Sequence, residues 1–97
     1  MDDKHLMNSK VVKKKIAVIG LGYVGLPLAC AIAKSKKYSV VGFDIDEEKT
    51  SQISNRICPI DDEICARDLK EVVLDVSSDI EIIKESDYFI LCVPTPV

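Results

Sequence analysis

Histidine is nearly absent from this 97-residue chain: His5 stands alone, in a polar leader. The four cysteines, Cys30, Cys58, Cys65 and Cys92, form no C-x-x-C pair, and the step from Cys58 to Cys65 is not a zinc spacing. No metal centre is expected. Basic residues do not gather into a stripe interleaved with aromatics, and 13 basic against 16 acidic residues leave a net charge of −3; nucleic acid is therefore not expected as a partner. No internal repeat, linker or low-complexity tract interrupts the chain, and its length allows at most one small domain. An apolar content of 47% beside 30% charged residues fits a soluble globular domain rather than a disordered one.

One long uncharged stretch, residues 16–33, follows Lys13-Lys14-Lys15 and ends in Ala29-Cys30-Ala31-Ile32-Ala33. It mimics a signal peptide or a short membrane span. Three glycines and a proline inside it fit a nucleotide-binding turn instead, so neither secretion nor a membrane is expected. Cys30 and Cys92 lie in apolar segments and are expected as buried thiols, with Cys58 and Cys65 exposed. The cysteine pattern suits a reducing, cytoplasmic setting.

The most informative segment runs Ile16-Ala17-Val18-Ile19-Gly20-Leu21-Gly22-Tyr23-Val24-Gly25, then a helical stretch, then Val40-Val41-Gly42-Phe43-Asp44. It reads as buried strand, glycine turn, helix, second strand and terminal acid. Gly20 permits a sharp turn, Gly22 lets a pyrophosphate approach the backbone, and Gly25 lets the helix lie close to the strand. A helix starting near Tyr23 or Val24 aims unpaired amides and its positive dipole end at phosphate, with Pro27 tolerated in its first turn. Asp44 stands close to the ~20 residues downstream expected of a ribose-binding acid. A 2′-phosphate there would meet Asp44, Asp46, Glu47 and Glu48 with no Arg nearby, so NAD is expected over NADP. FAD uses a similar fingerprint and is the rival on the motif alone.

Strand and helix signals alternate along the rest of the chain. Residues 1–14 form a polar leader and 15–97 the domain. After the first strand (Lys15 to Gly20), a helix over Val24 to Lys34 carries Leu28 and Ile32 inward. A second strand spans Ser39 to Asp44, and Asp46 caps a helix over Glu47 to Asn55. Asp61-Asp62-Glu63 opens another helix to Leu69 or Lys70; capping is favoured for these acids over substrate contact. Val72 to Val76 is a short strand, Ser78 or Asp79 caps a helix with Ile80, Ile83 and the Lys84 stem inward, and Tyr88 to Val93 is the last strand. The expected fold class is α/β: a Rossmann-type parallel sheet, partial, whose first four strands take the order 3-2-1-4 with flanking helices.

Gly20-Leu21-Gly22-Tyr23-Val24-Gly25-Leu26-Pro27-Leu28-Ala29, Gly42-Phe43-Asp44-Ile45-Asp46 and Cys92-Val93-Pro94-Thr95-Pro96 together resemble the amino-terminal part of the UDP-glucose/GDP-mannose dehydrogenase family, over about residues 15–97. Pro59-Ile60 resembles the family's proline segment; Arg56 departs from it, standing where a glycine is usual, which puts the local turn in doubt. The resemblance implies oxidation of a nucleotide sugar's C6 hydroxyl to a carboxylate, for polysaccharide biosynthesis. NAD would accept two hydrides, and a cysteine would carry the intermediate as a thiohemiacetal and then a thioester. It also implies that Gly20, Gly22, Tyr23, Val24 and Gly25 hold the pyrophosphate and Asp44 the ribose. Lys49 would help at the adenosine end, although a solvated helix lysine reads equally well. Val93, Pro94 and Thr95 would stand beside the nicotinamide ribose. Thr95 also resembles a threonine that helps place the reacting water; bare sequence supports only a loop hydroxyl there.

The family's nucleophilic cysteine and lysine would lie beyond Val97, and none of the four cysteines here matches that motif. The chain stops just after its fourth strand, where a full dinucleotide fold continues. The expectation is an NAD-binding portion of a larger enzyme, with the substrate domains absent and no catalysis by this piece alone. The open fourth strand suggests a homo-oligomer. A free-standing NAD-binding or assembly module without chemistry is the alternative.

Overall fold

The computed structural model describes residues 13–93. In chain order these form β1 (Lys15–Ile19), α1 (Gly25–Ser35), β2 (Ser39–Phe43), α2 (Glu47–Ser54), α3 (Glu63–Leu69), β3 (Asp75–Ser77), a single 3-10 turn (Ile80–Ile83) and β4 (Tyr88–Leu91). The four strands make one sheet in the order β3-β2-β1-β4, and every pairing is parallel. This is the expected Rossmann-type arrangement. α1 packs against β1, β2 and α3, the 3-10 turn lies against β2 and β3, and the middle strand is apolar along its buried length. Ile16, Ala17 and Val18 of β1 are all buried.

Register places the site. Ile19 pairs with Phe43 on one side and Leu91 on the other, so β1, β2 and β4 end at the same level. The glycine turn, Asp44 and the Cys92-Val93 exit therefore meet along one edge of the sheet. Between α1 and α3 lies the core, built from Leu21, Leu26, Ala29, Cys30, Cys65, Leu69 and Val72. No helix among the described residues is long and apolar enough to cross a membrane.

Several elements differ from the sequence expectation for identifiable reasons. The buried stripe of α1 is Leu26, Ala29 and Cys30, while Leu28 and Ile32 are only partly covered. On α3, Asp62 accepts a hydrogen bond from the Cys65 amide at 2.9 Å and so fixes the helix phase. Cys65, Asp68 and Leu69 then face inward, and Cys65 is buried instead of exposed. The third strand is shorter than Val72 to Val76. The Val72 amide donates to Asp68 and its carbonyl accepts from Arg56, which leaves Asp75–Ser77 for the ladder. After Asp79 the chain makes one 3-10 turn with no buried residue, because Asp87 must return to pair with Lys15. Ile80 is half-exposed, Ile83 is partly covered, and Lys84 pairs with Glu81 at the surface. β4 ends at Leu91, so Cys92 lies past the strand and is half-buried.

Arg56 resolves the doubt about its turn. Its backbone is left-handed, with φ of 63°. Its guanidinium Nη1 donates to the carbonyls of Leu69 at 2.9 Å and Val72 at 2.8 Å. The side chain thus ties the turn after α2 to the end of α3 and compensates a backbone conformation that glycine would adopt without strain. Arg56→Ala retains the strain and loses both bonds. Its unfolding free energy by urea titration should fall by about 1–3 kcal/mol, with Arg56→Gly falling less.

Candidate functional site

Gly20 ends β1 with a φ of 100° and donates its amide to the Phe43 carbonyl at 2.8 Å. A Cβ at Gly20 would meet the Cys92 carbonyl at 2.9 Å. The turn is therefore wedged between the ends of β2 and β4. At Gly25 a Cβ would run into the Gly20 carbonyl oxygen, so α1 can start this close to β1 only on a glycine. Gly22 differs from both. Nothing lies within 4 Å of a Cβ built there, and the fold alone does not require a glycine at that position.

The start of α1 is also unlike the other helix starts. Asp46, Asp62 and Asp79 cap α2, α3 and the 3-10 turn with side-chain carboxylates, and each of these has an acid in its first turn. α1 begins at Gly25 after Val24, with no side-chain cap and no acid in its first turn. The Leu26 amide donates to the Gly22 carbonyl at 3.1 Å, and no side chain of the described residues caps the helix start or balances its positive dipole end. Tyr23 and Val24 beside it are largely exposed.

Across the crevice stands Asp44, at 9% exposure. Its Oδ2 accepts from the Leu21 amide at 2.9 Å and its Oδ1 from the Asp46 amide at 2.9 Å. Lys49 Nζ approaches Oδ2 at 3.3 Å. Burial by itself raises the pKa of Asp44, but the two amides and the Lys49 ammonium outweigh it and hold the carboxyl below its ordinary range. The Leu21 side chain, fully buried, lies over Gly42 where a Cβ would clash with it. Leu21 thereby locks the turn onto β2 from both its backbone and its side chain.

Together these residues bound a crevice of about 840 Å³. Gly20, Gly22, Tyr23, Val24, Asp44, Lys49 and Val93 line it, as do Ile45, Pro59 and Ile60. The volume is that of a small-molecule or cofactor site. Gly25 sits behind the lining. Pro94 and Thr95 lie outside the described residues, as does His5. Ile45, at 85% exposure, was not among the sequence candidates, although its place next to the strand-end acid was the available signal. The Cys30 and Cys65 thiols, each 1% exposed, are pushed up by burial and make poor nucleophiles. Among the described residues no group of three His, Cys, Asp or Glu side chains is arranged to hold a metal ion.

Residues 14–97 match the model of the UDP-glucose/GDP-mannose dehydrogenase family, NAD binding domain. The chain belongs to this family. It is 44% identical over 84 residues to a UDP-N-acetyl-D-glucosamine 6-dehydrogenase of Salmonella typhi, covering 86% of this chain and 19% of that protein. The UDP-N-acetyl-D-mannosamine dehydrogenase structure of Pyrococcus horikoshii superposes with a TM-score of 0.80 at 44% identity, over 86% of this chain and 21% of that one. A ternary complex of GDP-mannose dehydrogenase from Pseudomonas aeruginosa gives 0.77 at 28% identity, over 84% and 20%. The chain thus spans about a fifth of the length of the relatives it matches. Its cofactor, as a member of the NAD-binding domain family, is NAD.

Because Asp44 titrates below its ordinary pKa of 3.8, the stability it contributes is complete above that value and is lost as pH falls through the folded one. The gap in urea midpoint between wild type and Asp44→Asn should be widest above about pH 5 and should close steadily at lower pH. A gap independent of pH would remove the charge from this account. Gly25→Ala should unfold the chain or lower its stability by several kcal/mol, about the top of the usual single-mutant range, as read by thermal melting.

Proposed function

We propose that this chain is the cofactor-holding portion of a nucleotide-sugar 6-dehydrogenase, which oxidises the C6 hydroxyl of a UDP- or GDP-sugar to a carboxylate. The observation that carries the reading is the uncapped start of α1 facing a crevice whose far wall bears a buried, ionised Asp44. A dinucleotide has chemistry for both walls, with a diphosphate for the first and a ribose diol for the second.

The residues fit the cofactor in kind. The backbone at Gly22 is open and accepts the close approach of a pyrophosphate. On this reading the amides at the start of α1 neutralise the diphosphate, and Asp44, held in one orientation by the Leu21 and Asp46 amides, accepts from the ribose hydroxyls. The exposed apolar surface of Val24 and Ile45 serves as wall for the remaining faces of the ligand. Bound there, NAD supplies the hydride acceptor. Val93, at the exit of β4, is the last lining residue in the chain, two positions before Thr95, and for Thr95 a role near the reacting centre is kept as a proposal. Residues 15–97 act as one NAD-binding unit, and the nucleotide sugar is the substrate of the larger enzyme.

Gly22→Ala separates this reading from a purely structural turn. The variant should melt as wild type does and yet bind NAD at least about tenfold more weakly in a calorimetric titration, since only a ligand needs that space. Asp44→Ala should weaken NAD by about 1–3 kcal/mol. Unchanged NAD affinity in Gly22→Ala would remove the pyrophosphate from the turn. The dehydrogenase assignment is tested by exchange: this chain should replace the matching segment of the Pyrococcus horikoshii enzyme and support NADH formation from UDP-N-acetyl-D-mannosamine. A folded chimera that binds NAD but forms no NADH would count against it.

A further inference from the structure

Among the described residues lining the crevice there is one anion, Asp44, and one cation, Lys49. They stand 3.3 Å apart and are both partly shielded, with side chains 11% and 27% exposed. The other acids nearby are differently engaged. Asp46 turns its carboxylate to the Lys49 amide, at 3.1 Å, as the cap of α2. Glu47 and Glu48 are exposed on the first turn of that helix, where water and salt screen them. Within the crevice lining the charge is therefore that of the Asp44–Lys49 pair, which sums to zero, while Asp46, Glu47 and Glu48 add a screened negative field from the exposed start of α2.

We propose that Lys49 is a masked anchor for a 2′-phosphate, and that the Asp44–Lys49 pair, rather than Asp44 alone, sets the discrimination between NAD and NADP. This rests on the reading of the crevice as the NAD site. In the wild type the Asp44 carboxylate occupies the ammonium of Lys49 and repels the dianion of NADP. With the carboxylate neutral, the same ammonium faces the 2′ position with no competing acceptor. A point charge on a flexible stem suits phosphate binding without further rearrangement. The acidic surroundings of Asp44 alone would predict that no single change admits NADP; the pair predicts that one does.

Four forms of the purified chain decide this by calorimetric titration with NAD and with NADP: wild type, Asp44→Asn, Lys49→Met and the double variant. Wild type should prefer NAD. Asp44→Asn should move the affinity ratio toward NADP by roughly tenfold or more, the scale of one charge-assisted hydrogen bond. Adding Lys49→Met should abolish that shift, and the gain in the single variant should fade with added salt. Lys49→Met alone should move the ratio the other way, NADP losing more than NAD. That variant disturbs no backbone hydrogen bond, so it decides the matter by itself if Asp44→Asn melts out. A shift that survives in the double variant, or a ratio unmoved by Lys49→Met, overturns the proposal. If wild type binds NAD and Gly22→Ala weakens it while the ratio ignores Lys49, this inference fails and the NAD site stands. If wild type binds neither cofactor, both fall.

Discussion

A single carboxylate holds the working edge of this domain together. Asp44 receives the Leu21 amide from the glycine turn, the Asp46 amide from the approach to α2, and the ammonium of Lys49 from within α2. These three donors belong to segments that the sheet alone does not fix relative to one another. Buried and unpaired, such a carboxylate would be costly; with its oxygens occupied it becomes the joint between the β1 turn and the β2 exit. The same bonds that keep it ionised also orient it, so the group proposed to meet the ribose is the group that organises the site.

Around that joint the glycines divide by cause. Gly20 and Gly25 are demanded by the protein itself: one has a φ of 100° and lies against the Cys92 carbonyl, and the other lies against Gly20. Gly22 meets nothing. The fold thus accounts for the two outer glycines and leaves Gly22 free, which is the position that the proposed pyrophosphate contact would use. The helix starts give the same answer independently. Three of them carry an Asp cap and α1 carries none, although its dipole is as much in need of an anion as the others. Space without a side chain and amides without a cap coincide at one place.

How far the sequence could be read follows from the range of the forces involved. The β1–turn–α1–β2–Asp44 run was legible because each constraint acts within the motif: steric exclusion at the glycines, burial of both strand faces, an acid at a fixed spacing. The caps Asp46, Asp62 and Asp79 were legible for the same reason, since each bonds an amide two or three residues on. What failed depended on distant partners. Val72 looked like strand until Arg56, 16 residues earlier, claimed its carbonyl. Arg56 looked like a poor substitute for glycine because the carbonyls that justify its left-handed backbone belong to the end of α3. Cys65 reads as exposed in isolation, although its phase follows from the Asp62 cap: Cys65, Asp68 and Leu69 recur at helical spacing on one buried face. In the site itself, Lys49 was visible as a helix lysine, but its pairing with Asp44 was not.

The sheet is not held equally across its width, and the inequality bears on how a ligand would act. At the centre, β1 is buried and bonded on both sides, and the Cys92 amide donates to the Ile19 carbonyl at 2.7 Å just where Gly20 presses on the same residue. At one edge, β3 offers three residues to the ladder. Local stability follows buried contact, so opening fluctuations belong to the short β3 ladder rather than to the turn. A dinucleotide bound between the α1 start and Asp44 would touch the ends of β1 and β2 and the exit of β4, and would stabilise those elements by mass action. β3 contributes no residue to the crevice lining and would gain only through β2. The crevice is thus built on the part of the sheet least able to move, which is what holding a long, flexible cofactor in one geometry requires.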